Sequence, residues 1–269
     1  MKVFEYHFNP SAKADRFFHA AFQERQFPET QSSEHFAFLG ELDKALPQNS
    51  NLVKRVADVA KKEFISSEHA QFSKAVQKFN SALSSEKKSG NVDWIGNFHA
   101  SLVGFSQKHG QDKARCAFTK TGSTKIFVAR KGVLTDAGKE IQDTEYMGSG
   151  TLHSDDKVLL MTRDAYKTFS DQNILHDLVF FKEDRQFKEL FRAKAKELAK
   201  LSGALLVVCV DSATPEEKRK RPLLPFFTEW TFSPPFGSFA MLDKLPFRKE
   251  ITIVLSFLLV LAVGALLFK

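Results

Sequence analysis

The chain is 269 residues long, 43% hydrophobic and 26% charged, with a formal net charge of +7. Two cysteines exclude a disulfide framework and a cysteine-built zinc site. The positive surplus within residues 1–210 is spread along the sequence with no block of five like charges, which argues against nucleic acid as a partner.

Phenylalanine is over-represented, with 28 residues against three Tyr and two Trp. Most should fill a core, because the ring adds bulk without a polar tip to satisfy. The first 45 residues read as β-leaning and irregular: VFEYHF alternates loosely, and HFAFLGEL (35–42) reads as a short buried strand. Residues 49–65 predict a helix, with cap candidates Asn49 and Ser50 and apolar Leu52, Val53, Val56, Val59, Ala60 and Phe64 at helical spacing. A second helix over 69–90 follows the same period through Phe72, Val76, Phe79 and Leu83 and stops at Gly90. FHASLVGFS (98–106), ARCAFTK (114–120), TKIFVARKG (124–132) and SDDKVLLMTRD (154–164) predict strands separated by polar turns. Residues 171–201 turn helical again, and GALLVVCVDS (203–212) closes the domain as a buried strand. Cys116 and Cys209 sit in apolar stretches and read as packing residues rather than thiolates.

Residues 211–250 differ in kind. Six of the nine prolines lie here, with the basic run KRKR at 218–221 and scattered aromatics from Phe226 to Phe239. That composition predicts an extended linker. Its aromatics could rest at a membrane interface or fold back onto the domain; KRKR could be solvated or touch anionic headgroups. Ile251–Phe268 then gives eighteen residues without a charge. As a helix this is about 27 Å long, close to the bilayer's hydrocarbon core of about 30 Å. The expectation is a single transmembrane helix in the lipid bilayer. Lys244, Arg248 and Lys249 before it place the soluble domain in the cytoplasm. Lys269, one residue past the span, fits either a tail anchor or a chain that continues in the native protein.

The order of strand, two helices, strand meander, helices and final strand resembles the metal-dependent serine/threonine phosphatase (PPM) family. Over residues 35–210, GNVDWIGNFHASLVGF (90–105) is similar to that family's small-residue turn and hairpin. FTKTGSTKIFVARKG (118–132) resembles its Gly-Asp-Ser-Arg segment, and DDKVLLMTRDAYKTFS (155–170) its late Asp-Gly segment. KAKELAKLSGALLVVCV (194–210) resembles its last helix and strand. The resemblance implies an α+β fold, a β-sandwich flanked by helices over residues 1–210, followed by the 211–250 linker and the 251–268 transmembrane helix.

It also implies where metal ligands belong. The family holds two Mn²⁺ or Mg²⁺ ions between its sheets by aspartates, and a metal-bound water attacks the phosphoester. The four acidic positions compared fall at Gly40-Glu41, Gly122-Ser123, Asp164-Ala165 and Gly203-Ala204. Three hold Gly or Ser, which leaves Asp164 as the lone candidate ligand, itself readable as a turn or cap residue; a one-residue shift would add Glu41. The family's early Arg…Asn-Glu-Asp pattern is absent from residues 1–34. The favoured expectation is a membrane-anchored pseudophosphatase without a cofactor, binding or signalling through a protein partner, phosphorylated or not. The alternative is an active, divergent phosphatase using Mn or Mg on Glu41, Asp43 and Asp164. Convergence of three carboxylates between the sheets separates the two.

The remaining constellations read as structure. His153, Asp155 and Asp156 fit a hairpin turn. His99 and His109 flank a strand without a partner at ligand spacing. GSGTL (148–152) lacks the helix and Lys of a phosphate loop.

Overall fold

The computed structural model describes residues 1–9, 14–66, 71–108, 110–210 and 231–233. Two antiparallel sheets stack face to face, each covered outside by helices. One has five strands in the order β1 (Lys2–Phe8), β10 (Gly203–Cys209), β9 (Lys157–Met161), β6 (Lys125–Arg130), β7 (Val133–Asp136). The other has six: β11 (Thr231–Ser233), β8 (Met147–His153), β5 (Lys113–Thr121), β4 (Phe98–Lys108), β3 (Ser32–Leu42), β2 (Phe17–Phe27).

Side-chain alternation along the strands builds three apolar layers. In β3, Ala37 and Leu39 point between the sheets, where they meet Val103, Phe118, Ile126, Leu160 and Leu206. The intervening Phe36, Phe38 and Leu42 point outward beneath α1 (Leu52–Ser66) and α2 (Phe72–Lys88). Those helices bury most of the stripe that the sequence predicts, including Leu52, Val56, Phe64, Val76 and Phe79, while Val59, also expected in it, is exposed and Leu83 is only partly buried. On the other side, α3 (Arg163–Asp171), α4 (Ile174–Phe180), α5 (Asp184–Ala193) and α6 (Ala195–Leu198) cover the five-stranded sheet through Phe169, Leu178, Phe187 and Leu198. All seven residues of β10 are buried because both of its faces are covered, hence its unbroken apolar run.

Several boundaries differ from expectation. The described residues up to Leu42 form β1 and a long β2–β3 hairpin, paired from Phe17↔Leu42 to Phe27↔Ser32, where irregular structure was expected. β2 escaped notice because it is half-exposed on both faces and so lacks alternation. The expected strand over 154–164 is a turn followed by β9, and helix resumes already at Arg163. GSGTL lies within β8, where Gly148 leaves room for the Phe118 ring; a Cβ there would come within 2.3 Å of it. β7 and β8 were not foreseen as strands. Inside the stretch read as a linker, Thr231–Ser233 pair with Ser149–Met147. The rest of 211–250 and the span 251–268 lie outside the described residues; among those described, no helix is long and apolar enough to cross a membrane.

Candidate functional site

One end of the sandwich gathers the start of β2, the end of β3, the start of β4, the β5–β6 crossing, the end of β9 and the start of β10. Their registers align there: Phe17↔Leu42↔Phe98, Lys125↔Met161↔Leu205. The polar residues of these strand ends face one another between the sheets. Arg16, just before β2, is 6% exposed and forms ion pairs with Asp43, just after β3, and with Asp164, in the first turn of α3. Its Nη1 also donates to the Ser202 carbonyl at 3.0 Å. A single guanidinium therefore ties three chain segments from both sheets. The carboxylates raise its pKa further above the ordinary arginine range, against the opposing effect of burial.

Beside it, Glu41 is fully buried. Its Oε1 accepts the Arg163 backbone N–H at 3.1 Å, while Oε2 has no hydrogen-bond partner among the described residues. Burial pushes the Glu41 carboxyl up to about 7, and neighbouring Asp43 and Asp164 act in the same direction. His99 pairs in register with Glu41 on the adjacent strand. Burial lowers its pKa, and its Nδ1 is likewise without a partner among the described residues, as are Ser123 Oγ and Ser202 Oγ. Gly122, at φ +70, is required here: a Cβ would come within 2.0 Å of His99 Nδ1. Ser101 donates to Thr124 at 2.7 Å, closing the β5–β6 crossing against β4.

The structure sorts the expected site residues. Gly40 is not an inward position: a Cβ there would meet Phe38 at 2.6 Å and Val53 at 2.8 Å, in the layer beneath α1. Strand alternation turns Glu41, not residue 40, between the sheets. Gly203 faces the opposite helical layer, where a Cβ would lie 2.4 Å from Thr162 Oγ1. Asp164 is in the site, not alone but beside Glu41 and Asp43, so the three carboxylates proposed as substitute ligands do share one neighbourhood. They meet around a guanidinium, and among the described residues no group of three or more His, Cys, Asp or Glu is placed to hold a metal ion. Asp156 stands apart, buried against Arg130 Nη2 at 2.7 Å and holding the β8–β9 turn through the His153 N–H at 2.6 Å. Asp155, at φ 72, is that turn's surface residue, bound to Lys182 at 2.9 Å. Cys116 and Cys209 are buried, and burial pushes the Cys116 thiol up to about 12, as packing residues require. Sequence reasoning missed Arg16, and it set His99 aside for want of a partner at ligand spacing, a partner that the β3–β4 register supplies in Glu41. The only available signal for Arg16 was a charged Asp15-Arg16 pair entering an apolar strand.

Two measurements follow from this geometry. Arg16→Ala leaves two part-buried carboxylates facing each other and should cost about 2–3 kcal/mol in urea unfolding, with Arg16→Lys restoring only part because an ammonium lacks the two-sided fork. Glu41 binds its proton more tightly folded than unfolded, so its contribution to stability is full below its ordinary pKa and lost as pH rises through about 7. Unfolding free energy should fall by up to about 3 kcal/mol between about pH 5 and pH 8, and Glu41→Gln should flatten that dependence. Equal slopes for both proteins would refute the assignment.

No family model matches the sequence, and no curated protein matches it. Solved structures do. The PP2C phosphatase domain of SpoIIE from Bacillus subtilis, with a fragment of its regulatory domain, is similar at TM-score 0.55 and 16% identity, over 79% of this chain and 64% of that one. A mutant of a bacterial serine phosphatase gives TM-score 0.53 at 11% identity, over 78% of this chain and 97% of that one. The serine/threonine phosphatase of S. agalactiae gives 0.50 at 9% identity, over 78% and 98%. At such identities the likeness is one of architecture: two antiparallel sheets between helical layers, the fold of the PP2C-type, or PPM, serine/threonine phosphatases.

Proposed function

We propose that this protein is a membrane-anchored, PP2C-like pseudophosphatase: a cytoplasmic binding or signalling module that has lost the family's metal chemistry. The observation that carries the reading is the Arg16 guanidinium, which engages Asp43 and Asp164 together. Two dications about 4 Å apart repel by roughly 17 kcal/mol at an effective dielectric near 20, and only clustered, free carboxylates offset that. Here two of three carboxylates are already engaged by one arginine that belongs to the chain, and its single positive charge offsets half of theirs. The third, Glu41, keeps its proton until near neutral pH. Ser123 and Gly203 supply no charge. As placed, these residues do not fit a two-metal centre.

The convergence of Glu41, Asp43 and Asp164 favours a second reading, an active and divergent metal-dependent phosphatase in which Arg16 gives way to Mn²⁺ or Mg²⁺. Calorimetric titration of the detergent-solubilised chain with Mn²⁺ decides between them. We expect no pair of tight sites and no Mn²⁺-dependent hydrolysis of an aryl phosphate or phosphopeptide. Two tight sites, or turnover abolished by Asp164→Ala, would establish the second reading.

The anchor rests on the apolar run 251–268 and on Lys244, Arg248 and Lys249 before it. Deleting residues 245–269 should release the protein from carbonate-washed membranes. A truncated protein that still pellets with them would remove the anchor from this proposal, and protection of the domain from cytoplasmic-side protease would reverse its orientation.

A further inference from the structure

The positive charge that looks diffuse in sequence is gathered on one side of the fold. Residues 1–210 contain 31 Lys/Arg and 26 Asp/Glu, a surplus of five. Helices α1 and α2 alone contain eight Lys/Arg against three Asp/Glu, which is the same surplus. Counting Glu68, in their connection, lowers it only by one. The helices on the opposite face, α3 to α6, hold six of each sign, and their connections add Lys182, Lys194 and Glu183, a surplus of only one.

Within the basic layer, Arg55 is paired with Glu86 at 2.7 Å and Lys61 with Asp58 at 3.1 Å. Lys54, Lys62, Lys74, Lys78, Lys87 and Lys88 are all exposed and have no ion-pair partner among the described residues. Val59 and Ile65, 40% and 36% exposed, lie among them on α1. A helical face of unpaired lysines interrupted by aliphatic side chains matches an anionic lipid surface: ammonium groups reach headgroups while aliphatic tips enter the interface. Nucleic acid fits it less well. The layer's one arginine is already paired, and its phenylalanines Phe64, Phe72 and Phe79 are buried, leaving neither a guanidinium fork nor a stacking ring.

Topology keeps the domain near the membrane. α1 and α2 cover the six-stranded sheet, and it is this sheet whose β8 edge receives Thr231–Ser233. The chain thus returns to the far edge of that sheet, α1 packing on β2 and β3 and α2 on β4, shortly before the apolar run at 251–268. Residues 234–250 between them can span at most about 60 Å, so the domain stays within reach of the surface that holds the anchor.

We propose that the outer face of α1 and α2 is a docking surface for anionic lipid headgroups, which lays the domain down on its own membrane. This rests on the membrane reading above. The test uses the full chain, labelled with a fluorophore at exposed Ser84 of α2 through Ser84→Cys, the two native cysteines being buried. It is reconstituted into vesicles of phosphatidylcholine alone or containing phosphatidylserine, with an acceptor dye on a lipid headgroup. Energy transfer should rise with phosphatidylserine, fall back in high salt, and be lost when Lys74, Lys78, Lys87 and Lys88 are all changed to Gln. Glutamine keeps helix propensity, and the salt arm needs no variant at all. Transfer that is equal in both lipids, or unchanged in the quadruple variant, would overturn the proposal. So would lysine-dependent binding of RNA or DNA without any change in transfer, which would hand the face to nucleic acid. A chain that fails to co-float with phosphatidylcholine vesicles would remove the anchor instead. Lysine-dependent binding to phosphatidylserine vesicles would then still uphold the surface, and its absence would sink it.

Discussion

The polar end of this sandwich depends on one buried cation. Arg16 enters from the connection between β1 and β2, yet its partners sit at the end of β3 and at the start of α3, on opposite sheets. A core of Phe, Leu and Val resists sliding of the sheets through interdigitated packing, without directional bonds. A guanidinium with fixed fork geometry supplies them, because each carboxylate must be met along its own direction. With Ser202 as a third acceptor, the pairing sets the relative position of the strand ends around it.

The surrounding residues are shaped to that arrangement. Gly122 gives His99 room, Gly203 gives Thr162 room, and Thr162 Oγ1 accepts the Ala204 N–H at 3.0 Å. Glu41 is held by one backbone N–H and retains an oxygen without a partner; His99, Ser123 and Ser202 each carry another such atom. Buried polar groups left in this condition destabilise a protein, and folds tend to keep them where something binds or moves. Lys120 and Lys157, by contrast, are buried but engaged. The first donates to the Gly122 carbonyl at 3.0 Å, and the second closes the last carbonyls of α4 through Leu178 and Val179. Four such atoms, on Glu41, His99, Ser123 and Ser202, thus lie at the inter-sheet end around Arg16.

The two helical layers have diverged in charge while doing the same mechanical work. Both bury a phenylalanine-rich stripe against a sheet. With their connections counted, one keeps a positive surplus of four and the other of one, so the two layers differ in charge independently of their core packing.

What the sequence determined by itself was everything governed by short-range periodicity. α1 and α2 follow from a 3.6-residue apolar stripe, β10 from an unbroken apolar run, and the order of elements pointed to the sandwich. The apolar run at 251–268 is legible without any structure. Tertiary structure alone decided the site. Whether residue 40 or 41 faces the interior depends on strand pairing, since a shift of one residue reverses every side chain. Glu41 and His99 become neighbours only through the β3–β4 register, 58 positions apart in the chain. Beyond the charged Asp15-Arg16 pair, nothing local marks the role of Arg16, because its partners lie 27 and 148 residues away. The clustering of lysines on one face is equally invisible in one dimension: charge that is sparse along a helix becomes dense when two helices lie side by side.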